Sequence, residues 1–180
     1  MKMETTKLPR RKVIRLQGYD YSLPGNYFVT IVVQDRLCLF GSIANGQMQP
    51  NPAAIAMEQA LMLMAQKFPD IMLQHFIIMP NHIHLIITIT GQIDLCEVIR
   101  TYKSYTTHLY CDGVRSKGWQ TFNKKLWQRS FYEHIIRNQH AYDYIANYIA
   151  TNPQRWSKDA INPNHDDDKD EMMKQVLMFG

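Results

Sequence analysis

The sequence predicts an α+β fold with one antiparallel sheet, and three observations on the 180 residues lead there. Short β-branched runs alternate with segments of helical apolar spacing, in an order that mixes single helices with paired strands. The runs Ile71–Met79 and His82–Thr90 are separated only by Pro80-Asn81, a link that fits an antiparallel pair and no crossover. Hydrophobic residues make up 46% of the chain and charged ones 20%, enough apolar surface for one substantial core.

Taken in order, residues 1–22 form a basic arm ending in the aromatic stretch "GYDY". Tyr27 to Gln34 reads as the first strand, following the turn signal "LPGN". "LCLFGSIANGQMQP" is a hairpin around Asn45-Gly46, the dipeptide that tight two-residue turns favour. Pro52 opens a helix whose body is "AAIAMEQALMLMAQKF". The strand pair on either side of Pro80-Asn81 follows. Next comes the amphipathic helix "DLCEVIRTYKSYTTHLYC", with Asp94 as its N-cap. "DGVRSKGWQ" reads as a loop, "LWQRSFYEHIIR" as a strand, and "NQHAYDYIANYIAT" as a helix stopped by Pro153. This order contains the βαββαβ pattern of a ferredoxin-like sandwich, with an inserted β-hairpin and a C-terminal helix added. Helices would cover one sheet face and leave the other free to carry a site. One domain spans residues 1–156, and residues 157–180 form an acidic tail expected to be solvated and flexible.

Composition narrows the function. Three cysteines without a CxxC pair argue against a disulfide framework and a thiolate zinc site, and fit a reducing cytoplasm. The basic start lacks the apolar core of a signal peptide. The longest apolar segment, Phe76–Ile89, is interrupted and too short to span a bilayer, so no membrane partner is expected. Of 20 basic and 16 acidic residues, the last 24 positions hold three lysines and six acids, which leaves 17 against 10 in residues 1–156. A basic body of this kind suits a polyanion, because neutralising phosphates releases counterions.

The chemistry starts at "MPNHIHLIITI", Met79–Ile89. Side chains alternate along a strand, so His82 and His84 point the same way, about 7 Å apart. Ile83, Leu85, Ile87 and Ile89 point the other way, toward the helix-covered core. Two imidazoles on one rigid face can converge on one divalent ion. The Pro80-Asn81 turn would leave them at the sheet's rim, within reach of substrate. The spacing alone does not fix the reaction. Hydrolytic zinc enzymes use it too, and an isolated His-x-His in a strand is often incidental.

The last helix offers partners for the pair. At 100° per residue, Ala141, Ile145 and Ile149 form one stripe, with Tyr148 and Asn152 neighbouring each other on its margin. A tyrosine and an amide oxygen aimed at two histidines would set a nucleophile beside a metal with mixed N/O ligands. Magnesium or manganese suits such a site when a phosphate completes it. Tyr144, also four residues from Tyr148, is a rival nucleophile.

With these residues in view, the chain resembles the single-tyrosine HUH transposases, and within them the REP-associated tyrosine transposases. The motifs that carry the resemblance are "IIMPNHIH" and "YIATNPQRW", with "LWQRSFYEHIIR" and "RLQGYDYSLPGNYFVTI" in support, over roughly residues 10 to 156. The resemblance implies that His82 and His84 are metal ligands and that Tyr148, rather than Tyr144, is the nucleophile. It puts Asn152 where the family has a metal-contacting amide, with Asn here in place of the Gln of many relatives. The implied cofactor is Mg2+ or Mn2+. The implied partner is single-stranded DNA marked by a hairpin, cut through a 5′-phosphotyrosine and rejoined by transesterification. The implied REP-associated mode is a monomer, whereas insertion-sequence relatives exchange helices in a dimer. Expected nucleic-acid contacts are Arg11, Lys12, Arg15, Arg100, Lys103, Trp127, Arg129, Tyr132 and Arg137. A non-cutting DNA-binding regulator and a His-x-His hydrolase are the competing readings.

Overall fold

Strand β5, His82–Ile89, runs through the middle of the sheet, flanked on one side by β4 (Ile71–Ile78) and on the other by β1 (Gly25–Val32). The structure is a computed structural model and describes residues 19–165. Arg11, Lys12 and Arg15 of the basic arm, and the acidic run from Asp166 onward, lie outside the described residues. Beyond β1 comes β6 (Tyr132–Ile136), giving the order β4-β5-β1-β6 with every neighbouring pair antiparallel. This is the predicted βαββαβ sandwich. The hairpin β2 (Gly41–Ala44) and β3 (Gln47–Pro50) is inserted after β1 as a separate two-stranded ribbon. Its turn residues Asn45 and Gly46 have φ of 53° and 69°, the left-handed pair that a tight hairpin requires.

Helices α1 (Pro52–Lys67) and α2 (Leu95–Lys117) pack together over one face of the sheet. Both begin as the sequence predicts. The Asn51 side chain accepts from Ala54 N behind Pro52, and that of Asp94 accepts from Cys96 N. Ile83, Leu85, Ile87 and Ile89 of β5 enter the main core with Val29 and Ile31 of β1 and Met57, Leu61, Ile99 and Tyr102 of the helices. The opposite face is also covered. Helix α3 (Gln139–Thr151), capped by the Asn138 side chain on Ala141 N at 2.8 Å, lies over β4 and β5. Ala141, Ile145, Tyr148 and Ile149 form a second cluster there with Phe28, Ile86 and Ile136. A bulge between Leu73 and His75 lets β4 follow this packing, and the Tyr142 hydroxyl donates to Gln74 beside it.

Four elements differ from expectation. The first strand begins at Gly25 and ends at Val32, because Val33 leaves the ladder for a 3-10 turn, Gln34–Arg36, in which Asp35 and Arg36 have φ of 59° and 55°. Helix α2 does not stop at Asp112-Gly113. It continues to Lys117 and ends on left-handed Gly118, whose N–H donates to Gly113 O. Gly113 stays helical because its bare Cα accommodates the Trp119 ring. The strand expected over residues 126–137 is confined to Tyr132–Ile136. Before it, Lys103 Nζ gathers the carbonyls of Gln128, Arg129 and Ser130 and turns the chain. Finally, the start of the segment expected as a tail carries ordered turns, although most of residues 157–165 are exposed. After α3 a 3-10 helix, Asn152–Lys158, leads into a turn in which Asp159 and Asn162 are buried.

Among the described residues no helix is long and apolar enough to cross a membrane. Because α3 is held by a small cluster, it is the element most sensitive to a single truncation. Ile145→Ala is expected to lower unfolding free energy by about 2–5 kcal/mol, measured by denaturant titration. Amide exchange should accelerate in α3 more than in β5.

Candidate active site

The geometry starts with the alternation of β5. His82 and His84 share its α3-side face, and both are 0% exposed. Their ring centroids are 4.4 Å apart. The expectation that they sit at an accessible rim fails: Pro80 and Asn81 are buried as well, and α3 with the segment after it closes over the pair. Full burial favours the neutral form of both imidazoles. Burial drives the His82 pKa down to about 3, and burial together with neighbouring His82 takes His84 well below its ordinary value.

Each ring has one nitrogen occupied by a neighbour. His84 Nδ1 is 2.8 Å from Thr30 Oγ1, its cross-strand partner on β1. His82 Nδ1 is 2.9 Å from Asn81 Oδ1. The two Nε2 atoms are thereby directed into the space under α3. There the Tyr148 hydroxyl stands 3.4 Å from His84 Nε2, with its ring edge-on to Phe28. Tyr144, one turn earlier, packs against the second apolar cluster instead. Asn152, one turn after Tyr148, is 0% exposed, and both polar atoms of its side chain lack a hydrogen-bond partner among the described residues.

Asp159 enters the site as a carboxylate that the sequence reading missed. It is 2% exposed, and its Oδ2 lies 3.5 Å from His82 Nε2. Burial disfavours the imidazolium here, so the contact sets a carboxylate against an imidazole held toward its neutral form. Ligand atoms of His82, His84 and Asp159 all lie within 4.8 Å of one another. The segment is built for order: Asp159 Oδ1 accepts from Ile161 N at 2.7 Å, and Asn162 Nδ2 donates to Trp156 O. Its turn-forming residues were the available signal, masked by the acidic run that follows.

These groups suit a divalent cation. Two neutral imidazoles and a carboxylate converge, and His82 Nε2 and the Asn152 amide are buried polar atoms without hydrogen bonds among the described residues. Such orphans are rare and call for an ion or water. Donor type alone does not select a reaction, because two histidines and a carboxylate also serve iron oxygenases and hydrolases.

The expected nucleic-acid contacts scatter. Tyr132 is 51% exposed and lies in register with Thr30, which is in register with His84, so all three share the face that carries the site. Arg137 is exposed at the end of β6. Arg100, Lys103 and Arg129 line a cavity of about 310 Å³ with Cys96, Ile99 and Phe131, and α2 and Phe131 pack on the opposite side of the sheet. Lys103 is engaged with the three carbonyls that turn the chain. Trp127, also expected to contact nucleic acid, is buried. It is 4% exposed, packs on Phe40 and Tyr102, and donates to Thr106.

Two buried neutral histidines make the metal-free protein acid-sensitive. Their folded pKa values lie below the unfolded value near 6.5, so unfolding takes up protons as pH falls through that value, down to about 3 for His82. Stability measured by denaturant titration in chelator should therefore fall between pH 7 and pH 4.5. The loss should be smaller in a His82→Gln, His84→Gln double variant.

Comparison with known proteins finds relatives in sequence and in fold. Residues 51–152 match the family described as "Transposase IS200 like". An uncharacterized protein of Haemophilus influenzae (strain ATCC 51907 / DSM 11121 / KW20 / Rd) is 34% identical over 176 residues, covering 84% of this chain and 92% of that protein. A REP-associated tyrosine transposase, solved bound to a REP hairpin, has a similar fold. Its TM-score is 0.58 at 23% identity, over 77% of this chain and 73% of that one. The matched segment runs from α1 through Asn152 and includes His82, His84 and Tyr148. The chain belongs to the IS200-like transposase family.

Proposed function

We infer that the protein is a metal-dependent single-stranded DNA nickase and strand transferase, with Tyr148 as nucleophile. The observation that carries this reading is the 3.4 Å approach of the Tyr148 hydroxyl to His84 Nε2, beside a buried His-His-Asp cluster. The phenol beside the cluster is what favours phosphoryl transfer over the oxygenase and hydrolase readings.

His82, His84 and Asp159 would hold the cation, with Asn152 as a further oxygen donor. Mn2+ or Mg2+ bound there would grip the scissile phosphate and withdraw charge from phosphorus. The chain's own residues do the rest. Phenol, with an ordinary pKa near 10, is a weak nucleophile in water at neutral pH, and α3 presents this one already positioned. Attack forms the Tyr148 Oη–P bond and breaks the P–O3′ bond. The phenolic proton ends, in net terms, on the released 3′ oxygen. The product is a 5′-phosphotyrosine, whose ester another 3′-hydroxyl can reverse without an external energy source.

Tyr148, His82, His84, Asn152 and Asp159 are at most 2% exposed, so substrate reaches them only when the covering segment shifts. Tyr132, on the same face and half exposed, is suited to stacking an unpaired base nearby. The REP hairpin bound by the structural relative supports a hairpin-marked substrate. One chain brings nucleophile and histidines together, which supports action as a monomer without helix exchange.

Incubation with labelled hairpin-bearing single-stranded DNA and Mn2+ should give a covalent adduct on a denaturing gel, abolished in Tyr148→Phe. Cleavage without an adduct would favour a hydrolase, and retention without cleavage a DNA-binding regulator. Asp159→Ala should weaken Mn2+ affinity by roughly 10-fold or more, read by titration with Mn2+ paramagnetic resonance. An unchanged affinity would remove Asp159 from the ligand set.

A further inference from the structure

Asn81 was read from sequence as a turn residue, yet it is 0% exposed and its side chain meets three separate parts of the chain. Its Nδ2 lies 3.0 Å from Arg36 O and 3.0 Å from Ile161 O. Its Oδ1 lies 2.9 Å from His82 Nδ1. The amide cannot be turned the other way, because its oxygen would then face two carbonyl oxygens at a fully buried position, where that repulsion is poorly screened. With both Nδ2 hydrogens given to carbonyls, Oδ1 is the acceptor. His82 Nδ1 must therefore carry the proton, and in the neutral imidazole that burial favours, Nε2 keeps its lone pair.

The same amide fixes the neighbouring carboxylate. Ile161 O, held by Asn81, is two residues from Asp159, and Arg36 Nη1 donates to the intervening Ala160 O at 3.0 Å. Arg36 reaches it from the left-handed pair Asp35-Arg36, a strained backbone whose Arg36 O accepts from Asn81. Asn81 itself is fixed by its main chain, since Val33 N donates to Asn81 O at 2.8 Å.

We propose that Asn81 is a positioning residue for the metal site: Oδ1 sets the His82 tautomer that exposes Nε2, and Nδ2 anchors the turn that delivers Asp159. The proposal rests on the reading of His82 and Asp159 as metal ligands. A ligating histidine whose other nitrogen donates to a fixed acceptor is oriented and made a better donor. Here one amide acts on two ligands that are 77 positions apart in the sequence.

The test uses the full chain, free of metal, labelled with 15N-histidine. Long-range 1H–15N correlation reads the His82 tautomer directly, with the resonance assigned by its loss in His82→Gln. Wild type is expected to be protonated at Nδ1 and bare at Nε2. Asn81→Ala should shift the proton toward Nε2 and weaken Mn2+ affinity by about 10–100-fold. Asn81→Asp retains the acceptor and loses both donors. It should keep the tautomer while amide exchange at Ile161 and Asn162 accelerates. Wild-type His82 carrying its proton on Nε2 would overturn the proposal without any variant. An unchanged tautomer or unchanged Mn2+ affinity in Asn81→Ala would do so too. Failure of wild type to bind Mn2+ would instead strike the metal reading, and the tautomer would still decide whether Asn81 positions His82.

Discussion

The burial of β5 on both faces is the constraint from which the rest follows. A strand covered on one side alternates apolar and polar residues, but β5 has α1 and α2 behind it and α3 in front. Four aliphatic side chains on one face commit it to the main core, and its register with β1 and β4 cannot slip by one residue without reversing every side chain. The histidines thus occupy core positions on a strand that cannot move independently. Imidazoles placed there are costly as charges and useful as neutral ligands.

Closure of the site follows from what covers that face. Helix α3 docks through Ile145, Tyr148 and Ile149, with Asn152 just past its end, so the apolar packing that docks the helix also sets the hydroxyl against His84. The segment beyond Asn152 folds back across His82, with Trp156 near the imidazole and Asp159 at its edge. Low polarity around these groups strengthens each electrostatic contact among them. In the proposed reaction, substrate and the buried phenol can meet only after this cover shifts.

Much of this arrangement was legible in the sequence, for local reasons. The period-2 alternation of Ile83, Leu85, Ile87 and Ile89 fixed the facing of His82 and His84, and the α3 stripe put Tyr148 beside Asn152. Asn45-Gly46, Pro52 and Asp94 carry their turn and caps in their own chemistry. What stayed hidden depends on contacts distant in sequence. Nothing local in "DGVRSKGWQ" reveals that Trp119 packs over Gly113 and lets the helix run on. Lys103 resembles any solvent-facing lysine until three carbonyls 25 to 27 residues away turn toward it. Asp159 was masked by an acidic neighbourhood, and its role depends on Asn81 and Arg36 holding the chain beside it.

The central claim is that imidazoles of β5 and a phenol of α3 surround one cation. Crystals grown with Mn2+ and measured at the manganese absorption edge test it most directly. The account predicts an anomalous peak in contact with Nε2 of His82 and of His84, with a carboxylate oxygen of Asp159 completing the set and the Tyr148 hydroxyl nearby. A peak elsewhere on the molecule, or none at the histidines under saturating Mn2+, would contradict it.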